Sequence, residues 1–182
     1  MKRKIAIAVG AVLVVGLLAA GAFVLSRQEG KNERDVAFAS NVVPHHEGAV
    51  QMADMLLGKD GIPEDVRALA QRIKAAQQPE IDTMNGWLEK WGVDSMMGHG
   101  GHTMMISGMM SDDEMAALEE AEGIEAARLF LEGMITHHKG AIEMAQVEVD
   151  QGQYAPAIAM AKEIIAAQRS EITEMERLLA DL

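Results

Sequence analysis

Cysteine is absent from all 182 residues, which excludes disulfides, thiolate metal sites and a thiol nucleophile. Basic charge is scarce: 16 Lys and Arg stand against 28 Asp and Glu, for a net charge of −12. That balance argues against nucleic acid or anionic lipid as a partner and mildly favours cations. Aromatic residues are few, at three Phe, two Trp and one Tyr. No phosphate-binding glycine loop and no Gly-x-Ser-x-Gly elbow occurs. Strand-like alternation is missing too.

What the chain has in excess is methionine, 15 residues of it. Methionine fills helical cores, but its thioether is also a soft metal ligand that cannot be lost to a disulfide in an oxidising compartment. The N-terminus points to such a compartment. Lys2, Arg3 and Lys4 precede an uncharged run from Ile5 to Leu25, closed by Ser26-Arg27. This is the basic and apolar layout of an export signal. At 21 residues the run is long enough to cross ~30 Å of hydrocarbon. Residues 1–27 are therefore expected to be an uncleaved membrane anchor, with a cleaved signal peptide as the alternative given Ala20-Gly21-Ala22. Positive charge stays inside, so the remainder lies outside the cytoplasm, in a periplasm or at a cell surface. Residues 28–33 form a spacer.

One phrase occurs twice. His45-His46-Glu47-Gly48-Ala49-Val50-Gln51-Met52-Ala53 is echoed 92 residues later by His137-His138-Lys139-Gly140-Ala141-Ile142-Glu143-Met144-Ala145. A second phrase, Ala75-Ala76-Gln77-Gln78-Pro79-Glu80-Ile81 followed by Met84, returns as Ala166-Ala167-Gln168-Arg169-Ser170-Glu171-Ile172 followed by Met175. Matching blocks in the same order mean an internal duplication. The paired histidines are four of the six in the protein.

Helical periodicity runs through both copies. At 100° per residue, Phe38, Val42, Ala49, Met52, Ala53 and Leu56 share a face with His45, and His46 lies on its shoulder. Pro44 predicts a kink or a restart just before the histidines. A second helix opens at Pro63 and runs to about Trp91, with Gln77 on its apolar stripe. A third helix repeats the first from about Ile124 to Gln151. A fourth runs from Pro156 to about Ala180, with Gln168 facing inward. The expectation is an all-α four-helix bundle built from two duplicated hairpins, 34–91 and 124–182. A crossover, 92–123, joins them and ends in a short helix begun by the capping box Ser111-Asp112-Asp113-Glu114.

The crossover carries the stronger metal signal. Met96, Met97, His99, His102, Met104 and Met105 lie within ten residues, amid glycines, and Met109 and Met110 follow. Thioether and imidazole together suit Cu(I). The histidine pairs are a second candidate. Adjacent helical residues point ~100° apart, so His45 and His46 do not enclose an ion by themselves. A shared site needs His45 or His46 from one half and His137 or His138 from the other. Alternatively, these are core histidines bonded to Gln77 and Gln168. A di-iron oxidase is disfavoured because none of the residues three before a histidine (Val42, Val43, Met96, His99, Met134, Ile135) is the Glu of a Glu-x-x-His motif.

These phrases resemble the bacterial family known as domain of unknown function 305. Its hallmark is H-H-x-x-A-x-x-M-A with A-A-Q-x-x-E-I-x-x-M downstream, often present twice. The resemblance implies a ferritin-like fold, export, and in some members copper binding or tolerance. It makes His45, His46, Met52, His137, His138 and Met144 the motif positions. The sequence thus predicts a non-catalytic, anchored copper-binding protein that prefers Cu(I) over Cu(II), with zinc also compatible. Its partners would be the metal ion, the membrane, and a second copy or a copper-handling protein. The competing reading is a helical interaction module whose Met-rich crossover grips a protein.

Overall fold

The computed structural model describes residues 30–93 and 107–182. The chain divides into two units, Met1–Gly30 and Lys31–Leu182, and the second holds every described helix. Four are long: α1 (Glu33–Leu57), α2 (Glu64–Lys90), α4 (Gly123–Gln151) and α5 (Ala155–Asp181). The fifth, α3 (Asp112–Glu120), is short and starts on the capping box at Ser111. No strand occurs among the described residues. None of these helices is long and apolar enough to cross a membrane. α1 packs on α2, α4 on α5, and the two hairpins meet mainly along α1 and α4.

Pro44 neither breaks nor restarts α1, which runs uninterrupted from Glu33 to Leu57. Proline removes the bond to the carbonyl four residues back, that of Ser40. Ser40 and Pro44 are both exposed, so the orphaned carbonyl belongs to the solvent face, where its loss of a donor is tolerated, and the helix continues.

The core is in two pieces. One apolar cluster gathers Met52, Leu56, Leu69, Ile73, Phe130, Met134 and Met175 with their neighbours. The other holds Phe38, Val42, Ile81, Met84, Tyr154 and Ile164. On every long helix a buried polar residue falls where one cluster gives way to the other: His45 and His46 on α1, Gln77 on α2, His137 and His138 on α4, Gln168 on α5. A polar layer therefore cuts the bundle across its middle.

A second buried polar feature closes one end. Asp35 Oδ1 accepts from the backbone N–H of Gln153 at 2.9 Å and of Tyr154 at 2.8 Å, while Oδ2 accepts from Asn32. One carboxylate thus caps α1 and the start of α5 together. Burial alone would raise the Asp35 pKa, but these backbone donors outweigh it and hold it below the ordinary carboxylate value. Glu148 lies beside it, fully buried, with no donor facing either oxygen. Burial, reinforced by the Asp35 carboxylate, raises the Glu148 pKa to about 8. Protonated, Glu148 is itself a donor, and Asp35 is its acceptor.

Folding holds the Glu148 proton that the unfolded chain releases near 4.5, so the stabilisation is complete below that value and is lost as pH rises through about 8. Urea midpoints are expected to fall from pH 6.5 to 8.5 in the wild type and to stay level in Glu148→Gln. Parallel declines in both would remove Glu148 from the account.

Candidate metal centre

α1 and α4 carry the twin histidines to the same level of the bundle. The His45 and His137 rings face each other across the hairpin seam with centroids 3.7 Å apart, tilted by 39°. His46 and His138 lie outside them, each 6.4 Å from its neighbour's ring. All four are 0–1 % exposed. The shoulder positions His46 and His138 are as buried as the inward ones because the second helix of each hairpin covers them.

The partners are not the glutamines. His46 Nε2 donates to Glu80 Oε2 at 2.9 Å, and His138 Nε2 to Glu171 Oε2 at 2.7 Å. These acids lie three residues beyond Gln77 and Gln168, on the same flank of α2 and α5. They are about one-fifth exposed, so a carboxylate there accepts the proton without full desolvation. Both polar atoms of the Gln77 amide and Oε1 of Gln168 are left without a partner. Glu80 and Glu171 were legible as the repeated acid of the A-A-Q-x-x-E phrase; their role was not.

The inner rings use backbone. His137 Nε2 donates to the His45 carbonyl at 2.8 Å, and His45 Nε2 to the Ser107 carbonyl at 3.1 Å. With an acceptor opposite every Nε2, each ring carries its proton there, which leaves Nδ1 as the lone-pair atom. All four Nδ1 atoms are buried and unpartnered. Burial, then its neighbour His46, lowers the His45 pKa to about 4. Burial, then His45, lowers His137 to about 2. Both rings are neutral at physiological pH, as an imidazole must be to ligate a metal.

Ser107 reaches His45 because of a glycine. A Cβ at Gly140 would overlap the Ser107 carbonyl oxygen and lie 2.6 Å from its carbon and 3.1 Å from the Gly108 Cα. Gly108 completes the fit at φ +88, where a Cβ would stand 2.6 Å from the Thr136 carbonyl. The end of the crossover is thereby laid on α4, and Ser107 Oγ donates to Glu143 at 3.0 Å. The matching glycine in the first copy, Gly48, faces a side chain instead. A Cβ there would lie 3.4 Å from the Met109 sulfur and 3.6 Å from His137 Nε2. Met110 fills the space over Gly133 together with Met52. A cavity of about 180 Å³ opens beside them, lined by Met109, Met110, Glu114, Glu132 and Thr136 among others.

Of the sequence-predicted ligands, His45, His46, His137 and His138 form one layer. Met109, Met110 and Met52 lie on its flank. Met144 does not join them: it is half-buried and packs on the other apolar cluster. Met52 and Met144 hold equivalent places in the repeat, but among the described residues only the first has a methionine from the crossover, Met110, docked beside it. Met96, Met97, His99, His102, Met104 and Met105 lie outside the described residues. Among the described residues, no group of three or more His, Asp or Glu side chains is placed to hold a metal ion.

Fold and site define a class: duplicated helical-hairpin bundles crossed by a buried histidine layer. The chain belongs to the family described as "Domain of unknown function (DUF305)", whose model matches residues 35–179. A DUF305 fragment from Deinococcus radiodurans is 30% identical, with a TM-score of 0.73 over 84% of this chain and 99% of that one. A putative secreted DUF305 protein from Streptomyces coelicolor is 32% identical, at 0.74 over 81% and 93%. CopM in its Cu(II)-bound form is 30% identical, at 0.67 over 81% and 96%. Structures of CopM with Cu(I) and with Ag bound also match. No curated protein matches the chain.

Proposed function

We propose that this chain is a non-catalytic, membrane-anchored protein that binds copper outside the cytoplasm, as Cu(I) in preference to Cu(II), and buffers or carries it. The observation that carries this reading is the set of four Nδ1 atoms. Each is buried on a ring whose Nε2 is committed elsewhere. Leaving a buried polar atom unpaired costs about 1–3 kcal/mol, and a soft or borderline cation relieves that cost. His46 and His138 also show the outer-sphere pattern of metal-ligating imidazoles, in which a carboxylate holds the distal N–H. Binding of Cu(I), Cu(II) and Ag by CopM supports copper. So do the six thioethers between Met96 and Met110.

No imidazole-only cluster is ready-made, so thioethers complete the donor set. Met109, which borders Gly48 as the His137 ring does, is one candidate, and Met96, Met97, His99, His102, Met104 and Met105 are the proposed capture ligands. Zinc fits the imidazoles but gains nothing from thioethers.

Competition against a Cu(I) chelator tests this. The full chain is expected to bind Cu(I) stoichiometrically, and replacing Met96, Met97, Met104 and Met105 with Leu to weaken binding by roughly tenfold. Unchanged binding would remove the crossover from the site. If copper neither binds nor raises the melting temperature, the protein-partner reading takes its place.

A further inference from the structure

Two buried side chains of the polar layer take no part in its hydrogen bonds. Gln77 on α2 is 2 % exposed and Gln168 on α5 is 3 % exposed. Among the described residues, both polar atoms of the Gln77 amide and Oε1 of Gln168 have no partner. A buried polar group left in that state costs stability, so its presence calls for a reason. The repeat supplies it twice. Between the copies Gln78 becomes Arg169 and Pro79 becomes Ser170, yet the buried amide stays.

Neighbours fix the level of both amides. Gln77 lies between Ile73 of one apolar cluster and Ile81 of the other, and Gln168 between Ile164 and Met175 in the same way. Gln77 is three residues, about 4.5 Å along the axis, from Glu80, which accepts from His46 at 2.9 Å. Gln168 stands in the same relation to Glu171, which accepts from His138 at 2.7 Å.

Donors and acceptors do not balance here. Four Nδ1 atoms and two Oε1 atoms lack a partner, against one unpaired donor group, Gln77 Nε2. A cation answers such an excess of acceptors. Among the described residues no three imidazoles or carboxylates are placed to hold one, which leaves the amide oxygens as the further donors of the layer. Their chemistry differs from that of the flank. Met52, Met109 and Met110 offer sulfur, which with imidazole suits Cu(I), whereas nitrogen with oxygen suits tetragonal Cu(II).

We propose that Gln77 and Gln168 are the residues that admit Cu(II) to the layer, by supplying amide oxygen in addition to the histidine Nδ1 atoms. This rests on the copper reading above. Thioethers favour the reduced ion, and the two amides set how far the oxidised ion is accepted.

The test compares the full chain with its double variant Gln77→Leu, Gln168→Leu. Chelator competition is expected to show Cu(II) affinity lowered roughly tenfold, the low end of what losing one supporting group costs a metal site, with Cu(I) affinity unchanged. The variant Gln77→Met, Gln168→Met puts sulfur in place of oxygen and should lower Cu(II) affinity while raising that for Cu(I). With nitrogen-15 in the glutamine side chains, pulsed EPR of bound Cu(II) should detect weak coupling to an amide nitrogen, absent from the Leu variant. Without metal, the Leu variant should unfold at the same or a higher urea concentration, since no hydrogen bond is lost. Equal losses of Cu(I) and Cu(II) affinity, unchanged Cu(II) affinity, or a missing amide coupling would each overturn the assignment. So would a lower urea midpoint, which would mean that the amides are paired in the fold. A wild type that binds Cu(I) but not Cu(II) overturns this inference and leaves the copper reading intact. One that binds neither overturns both.

Discussion

Alanine at Gly140 is expected to destabilise the bundle by about 2 kcal/mol, while alanine at Gly48 leaves it within about 1 kcal/mol of the wild type. The two glycines hold the same place in the two copies of the repeat, and in a helix each replacement gains roughly 0.5–1 kcal/mol of propensity. Their neighbours decide the difference. At Gly48 the obstruction is the Met109 methyl, 3.2 Å away, at the free end of a flexible side chain. At Gly140 it is backbone, the Ser107–Gly108 peptide, itself pinned against Thr136. The new methyl lifts that segment from α4. His45 Nε2 loses its acceptor, and a buried unmet donor costs about 1–3 kcal/mol. Urea unfolding of the two variants side by side gives the answer. Equal midpoints would mean that the crossover end is not held on α4 as described. Gly140→Ala should also impair copper binding, since Met109 and Met110 leave with the segment.

The second large effect is expected at Glu80 and Glu171. They touch no proposed ligand lone pair; they hold the distal N–H of His46 and His138 and so keep Nδ1 free. Changing both to Leu strands two buried N–H groups, at about 1–3 kcal/mol each. It also frees the rings to switch tautomer or turn. Loss of such a carboxylate typically weakens metal binding by about 10–100-fold. Glutamine at both positions keeps an acceptor in place and should restore most of the stability and part of the affinity. Nitrogen-15 chemical shifts of the imidazoles provide a readout that packing alone does not move. The wild type should show Nε2–H at all four rings, and the Leu variant should lose it at His46 and His138. If the Leu variant retains Nε2–H tautomers and wild-type copper affinity, the positioning role is refuted.

The hairpins were legible because periodicity is a local property. Pro63 and Pro156 mark helix starts, and the doubled phrases place His45 and His137 in equivalent positions. Duplication allows one pair to meet the other but does not say which rings face each other; His45 and His137 do. Three things were not legible. The choice of Glu80 and Glu171 over Gln77 and Gln168 depends on which flank the neighbouring helix covers, a matter of a few tens of degrees in helix rotation. Pro44 predicts a kink or a restart, yet α1 continues through it, because Ser40, whose carbonyl loses its donor, is exposed, which the sequence alone does not reveal. The inequivalence of Gly48 and Gly140, and of Met52 and Met144, is set by where the crossover lands, and no repeat encodes that. Met96 through Met105, the strongest soft-ligand signal in the sequence, lie outside the described residues, and the chelator experiment addresses them directly.

The polar layer also bears on ancestry. A single hairpin carrying one His-His pair and one A-A-Q-x-x-E phrase leaves its pair half-covered, and a second copy related by a twofold axis completes the layer. Such a pairing would be an isologous homodimer, in which the residue at the position of His45 and His137 meets its own image. Symmetry would then force both glycines of the motif to face the same thing. Two copies in one chain are free of that constraint. One glycine now receives the joining segment's backbone and the other its methionine, so the linker that fused the halves became the element that tells them apart.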